Sequence, residues 1–200
     1  MSDYKPSAAD VKLLREQTSA GMMDVRDALA EAKGDLDAAK KILRERGQAK
    51  AAKRGGRATS DGKIASYIHG GGTKGVLVEI GCETDFVANT DGFQAFAKDI
   101  CLQIVSSEGT RFISIAAVPE DVKEAELELF RTQAADKPVE VQAKIAEGRL
   151  RKWYGEVCLL EQPYFRDEDI TVEQHRAALS SEMGENIEIK RFASYTLGQE

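Results

Sequence analysis

The chain has 200 residues, enough for one ordinary domain and a small satellite. Apolar residues make up 42%, so a real core can form, while 28 Lys and Arg against 34 Asp and Glu leave a net charge of −6. That balance speaks against a general nucleic-acid binder, and the longest wholly apolar runs, about four residues, are far from the roughly twenty of a membrane span.

The first third reads as three short helices. Ser7, with Asp10 three residues on, is an N-cap, and Val11, Leu14 and Ala20 face inward from the helix it starts. Gly21 breaks that helix. A second runs through 23–33 with Val25, Ala28, Leu29 and Ala32 at helical spacing, and Gly34 stands where a C-terminal cap belongs. Asp35 caps a third, carrying Leu36, Ala39, Ile42 and Leu43, which Gly47 closes. Three helices in so few residues form a very small core. Residues 48–61 then read as a basic linker, helical at its start, with Lys50, Lys53, Arg54 and Arg57 and no large apolar side chain. From Lys40 to Lys63 the net charge is +7, which leaves −13 for the rest.

From Gly62 the apolar period becomes two. Ile64, Ser66 and Ile68 alternate with Ala65, Tyr67 and His69, and a second strand carries Val76, Val78 and Ile80. Gly70-Gly71-Gly72-Thr73-Lys74 joins the two as a hairpin. Asp91 is expected to cap a helix whose buried stripe is Phe93, Phe96, Ala97, Ile100 and Ile104. Pro119 opens a long acidic helix, Lys137-Pro138 turns the chain, and a helix through Val141, Ile145, Leu150 and Trp153 returns, giving a helical hairpin over about 120–157. Thr171 and Gln174 open a helix that Gly184 ends, and 186–197 alternates as a third strand. The expected class is therefore α+β. A three-helix module (1–47) and the linker (48–61) precede a core (62–200) with an antiparallel three-stranded sheet and helices on one face.

Catalytic chemistry is hard to find. Gly70, Gly72 and Gly75 formally fit a dinucleotide-binding glycine pattern, but a strand follows where the helix that holds the pyrophosphate is required. His69 and His175 belong to no hydrolase or metalloprotease motif. His175 reads as solvated, whereas His69, beside flexible glycines, is exposed enough to touch a partner. The acidic run Asp167-Glu168-Asp169 reads as loop surface. Cys82, Cys101 and Cys158 form no paired motif, so no zinc site or disulfide is expected and a reducing cytoplasm is the simpler setting. The start, Met1-Ser2-Asp3-Tyr4-Lys5-Pro6, has no apolar leader segment. No metal or cofactor is expected, and no enzyme activity.

Two features exceed what folding needs. Met22-Met23 sits at a helix turn, where both side chains cannot face one small core, and exposed Met suits an adaptable binding surface. Thr84-Asp85-Phe86-Val87 follows a strand directly. Phe86 is either a protruding anchor or, with Val87, the first core residue of the next helix. The basic stretch Lys40–Lys63 is either solvated surface or a phosphate contact, and it has no aromatic residue on which bases could stack.

Leu13-Leu14-Arg15-Glu16-Gln17-Thr18-Ser19-Ala20-Gly21-Met22-Met23-Asp24 resembles the N-terminal signature of the bacterial elongation factor Ts family. Cys82-Glu83-Thr84-Asp85-Phe86-Val87-Ala88 resembles the family's second signature, and 144–152 and Gly184-Glu185-Asn186-Ile187 are similar to further stretches of it. The resemblance implies a ubiquitin-associated-like module on an α+β core. It also implies guanine nucleotide exchange on elongation factor Tu, with Leu14, Met22 and Met23 docking on the GTPase domain. Thr84, Asp85, Phe86 and Val87 would form the segment that dislodges Mg²⁺, and His69 would lie near that contact. With a single sheet unit the chain resembles the short form, which implies a homodimer and a two-plus-two complex, with no membrane and no direct nucleic-acid contact. The alternative is a ribosome- or RNA-associated adaptor using residues 40–63.

Overall fold

A computed structural model describes residues 4–18 and 20–199, so Met1–Asp3 of the expected start and Ser19 of the first motif lie outside the described residues. Its elements, in order, are α1 (Ala8–Thr18), α2 (Met22–Glu31), α3 (Leu36–Arg54), β1 (Asp61–His69), β2 (Lys74–Cys82), α4 (Asp85–Ala88) and α5 (Asp91–Ser106). Then come α6 (Glu120–Thr132), α7 (Val139–Val157), β3 (Pro163–Tyr164), β4 (Asp167–Thr171), α8 (Val172–Met183) and β5 (Glu188–Thr196). The fold is α+β, with an antiparallel sheet in the order β1-β2-β5. The described residues fall into two compact units, one within 1–65, 78–99 and 174–190, the other within 66–77, 100–173 and 191–200.

In the first unit α1, α2 and α3 close over Leu14, Val25, Ala28, Leu29, Ala39 and Leu43. Their ends follow from local chemistry. The Ser7 hydroxyl accepts the Asp10 N–H at 3.0 Å, and the Asp35 carboxylate accepts the N–H groups of Asp37 and Ala38. Gly34, at φ 88°, terminates α2 by donating to the Leu29 carbonyl. α3 does not close at Gly47 as expected. It runs through that glycine to Arg54, because the alanines and long basic side chains beyond it favour helix enough to carry the ~1 kcal/mol penalty of one interior glycine, and Ala51 is buried. β2 buries Val78, Ile80 and Cys82 in this unit, where Phe93, Phe96, Leu179 and Ile187 are also buried. The cap of α5 is Thr90, not Asp91: its hydroxyl accepts the Phe93 N–H at 3.2 Å, so Asp91 is already helical. His175 is not merely solvated, for its half-buried ring lies 5.3 Å from that of Phe96.

In the second unit α6 and α7 form the expected helical hairpin around Leu150, Trp153 and Val157, with Phe112, Leu127 and Phe130 packed alongside. Its buried amides are fully partnered. Gln103 donates to Gln162 and to the Pro163 carbonyl and accepts the Phe165 N–H, while Gln162 donates to Thr110 and to the Glu156 carbonyl. β3 and β4 pair antiparallel as a separate two-stranded sheet that the sequence reading missed; Asp167, Glu168 and Asp169 belong to strand β4 and not to a loop, though all three remain exposed. The hairpin between β1 and β2 turns on Gly70, Gly71 and Gly72, all at positive φ, and β2 follows directly. The glycines themselves form one short 3₁₀ turn and β2 begins at Lys74, so no α-helix opens there and the glycines make a turn and not a phosphate cradle.

Candidate functional site

β2 delivers the chain to Thr84, which is extended and caps a single turn of helix, its hydroxyl accepting the Val87 N–H at 3.5 Å. That cap fixes the register of the next residues. Val87 and Ala88 turn inward and are 9% and 3% exposed, whereas Asp85 and Phe86 turn outward. Phe86 is 82% exposed, the most exposed large apolar side chain among the described residues. Burying such a ring is worth roughly 1.5–3 kcal/mol, so leaving it in water forgoes about that much stability. Of the two readings open for Phe86, the structure rules out the one in which it opens the core of the next helix; Val87 alone does that.

The turn is stitched down on both sides. The Asn89 amide donates to the Asp85 carbonyl at 2.8 Å, and the Thr90 hydroxyl to the Val87 carbonyl at 2.8 Å. On the other flank, the Glu185 carboxylate accepts the N–H groups of Glu83 and Thr84, each at 3.1 Å, and the Thr84 hydroxyl at 2.6 Å. Glu83 in turn accepts the Asn186 N–H at 2.6 Å and pairs with Arg57 at 3.3 Å. The Asn186 hydrogen bond, helped by Arg57, holds the Glu83 carboxyl below the usual glutamate range. Sequence reasoning missed this support. Its only trace was the Gly184–Ile187 motif, to which no role was attached.

The Met22-Met23 pair opens α2 behind Gly21, and the two side chains are 57% and 58% exposed. Leu14 is wholly buried, so it holds the module together and presents no surface; Leu13, next to it, is the exposed apolar residue of that turn. His69 belongs to the other unit, at the end of β1, where its Nδ1 lies 3.1 Å from the Tyr67 hydroxyl.

The three thiols are buried and unbridged, and burial pushes Cys101 and Cys158 up to about 11, which leaves them protonated and unreactive at neutral pH. Among the described residues no group of His, Cys, Asp and Glu is arranged to hold a metal ion, and no helix is long and apolar enough to cross a membrane. Much of the basic stretch is engaged inside the chain. Arg46 pairs with Glu31 at 2.5 Å and Lys50 with Asp24 at 2.8 Å, while Arg54 donates to the Ser180 carbonyl and Arg57 meets Glu83.

A family model described as elongation factor Ts matches residues 7–199. Three bacterial proteins of that name are similar over nearly the whole chain. The one from Caldanaerobacter subterraneus subsp. tengcongensis is 51% identical, covering 96% of this chain and 97% of its own. Those from Carboxydothermus hydrogenoformans and a Thermoanaerobacter species are each 50% identical, covering 94% and 96% of this chain and 88% and 95% of theirs. A match of this extent, over nearly the whole chain, leads to one conclusion: the chain belongs to the elongation factor Ts family.

Proposed function

We propose that this protein promotes GDP release from elongation factor Tu by displacing the Mg²⁺ that helps hold the nucleotide. The observation that carries the reading is Phe86, a rigid aromatic ring held in water on a capped and clamped turn. No residue of this chain makes or breaks a bond in the proposal, and no cofactor takes part. An exchange factor needs only to bind one conformation of its partner better than another. Phe86, with Asp85, enters between helices of the partner's GTPase domain and favours a conformation that no longer holds the metal. Unscreened phosphate charge then weakens the nucleotide's own binding. By reciprocity, nucleotide that rebinds with Mg²⁺ expels the exchange factor.

The remaining parts follow the same division: 1–47 docks, 48–61 connects and 62–200 carries the wedge. Met22, Met23 and Leu13 supply the apolar docking surface, with Leu14 as its internal support, and His69 adds a secondary contact. A second copy associates through the sheet face of Ile68 and Leu77, both at least half exposed and turned away from Val76, giving a two-plus-two complex in the cytoplasm. The adaptor reading is disfavoured by Arg46, Lys50, Arg54 and Arg57, whose charged groups are already engaged within the chain.

The test is release of a fluorescent GDP from elongation factor Tu, with and without the protein. Wild type is expected to accelerate release strongly. Phe86→Ala is expected to lose at least tenfold of the maximal rate while still binding, as loss of an interface anchor worth ~2 kcal/mol predicts. No acceleration by wild type, or full acceleration by Phe86→Ala, would sink the proposal.

A further inference from the structure

The proposal above gives no part to Gly184-Glu185-Asn186-Ile187, yet this motif reaches the wedge directly. α8 ends at Gly184, where a φ of 76° turns the chain out of the helix. Ser180, fully buried, donates from its hydroxyl to the Glu185 carbonyl at 2.6 Å; its own carbonyl accepts the Gly184 N–H at 3.0 Å and Arg54 Nη1 at 3.1 Å. The Glu185 backbone is thereby anchored. From it the carboxylate takes hold of the wedge's first residues: Oε2 accepts both the Glu83 and Thr84 N–H groups, and Oε1 accepts the Thr84 hydroxyl. Glu83 reaches back to the Asn186 N–H, and the Asn186 side chain donates to the Arg57 carbonyl at 2.9 Å. Each glutamate thus grips the other segment's backbone.

The wedge depends on such a grip because its own helix is too short to aim it. α4 is four residues long, and a single turn of helix has no stability of its own in water. Val87 and Ala88 hold the turn by its inner side, but Asp85 and Phe86 have no apolar cover. Hydrogen bonds to a carboxylate are about twice as strong as neutral ones, and here three of them converge on two consecutive residues just before the ring. We infer that Glu185 is the positioning residue of the wedge, its carboxylate fixing the direction in which Phe86 projects through the Glu83 and Thr84 N–H groups and the Thr84 hydroxyl. A wedge released from this grip must be ordered again at each encounter, which lowers the fraction able to act. The consequence for exchange rests on the reading under Proposed function, whereas the geometry does not.

Two measurements test the inference on full-length wild type, Glu185→Ala and Glu185→Gln. The first is amide hydrogen exchange of the free protein. Ala88 and Asn89 donate to Thr84 and Asp85 carbonyls, not to Glu185, so their protection reports the order of the turn itself. Glu185→Ala is expected to lose at least tenfold protection there, with β5 unchanged. Glu185→Gln, whose oxygen still accepts the two N–H groups and whose amide can donate to the Thr84 hydroxyl, is expected to stay within about threefold of wild type. The second is GDP release from elongation factor Tu as a function of factor concentration. Glu185→Ala is expected to lower the maximal rate about tenfold with the half-saturating concentration within about threefold, and Glu185→Gln to restore most of that rate. Unchanged protection of α4 in Glu185→Ala would overturn the inference, as would equal losses in maximal rate and half-saturation. If Glu185→Ala does not fold, Glu185→Asp, which draws the carboxylate back by one methylene, takes its place under the same criteria. Should wild type itself fail to release GDP, the exchange reading falls, while α4 protection, measured without the partner, still decides the positioning role.

Discussion

Two exposed apolar features on one chain are built on opposite principles. Met22 and Met23 stand at the head of α2, behind a glycine that supplies no side-chain cap, and each has three rotatable bonds and a polarizable sulfur. Phe86 stands on a single helical turn that is capped by Thr84, gripped by Glu185 and tied to Asn89 and Thr90. The first can adapt to a surface, whereas the second arrives with its direction already chosen. Soft contacts lend affinity to many conformations of a partner alike, and a fixed wedge discriminates between them. In the proposed exchange role, only the discriminating contact can drive release of the nucleotide.

This contrast can be broken at several points, and the largest effect is expected beneath the soft patch. Leu14→Ala removes a fully buried side chain from the small core of the helical module, at a cost of about 2–5 kcal/mol. Hydrogen exchange in α1 and α2 should rise by at least an order of magnitude while amides of β2 stay protected; equal loss in both would mean that the module is not a separate source of stability. Next comes the patch itself. The double substitution Met22→Ala, Met23→Ala is expected to weaken binding to elongation factor Tu by about 1–2 kcal/mol, roughly 5–30-fold, with the maximal GDP-release rate held within about twofold. A fall in maximal rate at saturating factor would show that the methionines discriminate too. The smallest effect concerns pH. The Asn186 N–H and Arg57 hold the Glu83 carboxyl below its ordinary range, so its contribution to stability is full above the unfolded pKa of about 4.3 and is lost as pH falls through the lower folded value. The difference in melting temperature between wild type and Glu83→Gln should therefore shrink on going from pH 7 to pH 3.5, and a constant difference would remove Glu83 from the grip.

Much of the frame was legible because local chemistry decides it. Ser7 and Asp35 cap the helices they were expected to cap, Gly34 ends α2, and the stripe Phe93, Phe96, Ile100 and Ile104 is buried as its spacing required. Errors and undecided readings arose where neighbours in sequence compete. Thr90 and Asp91 are both competent caps, and it is the Thr90 hydroxyl, held by its hydrogen bond to the Val87 carbonyl, that accepts the Phe93 N–H. Phe86 and Val87 are both apolar, and the register set by the Thr84 cap sends the larger one outward, against its hydrophobicity. Glu185 stood outside any sequence argument, since its three hydrogen bonds join residues about a hundred positions apart. The continuation of α3 beyond Gly47 was obscured by the weight given to one glycine among good helix formers.

That continuation bears on how the two contacts of the proposed exchange role would cooperate. α3 has 19 residues and so extends about 28 Å as a semi-rigid rod, where a flexible linker beginning at residue 48 would have behaved as a coil. Once the methionines are seated, a coil would offer the wedge to the partner at a low, smeared effective concentration; a rod concentrates it at a narrow range of distances. The same rigidity makes the second attachment all or nothing: a partner whose two contact points move apart cannot keep both. Length mismatch alone can then convert a tight bivalent grip into a weak monovalent one, and so hasten departure once nucleotide has returned.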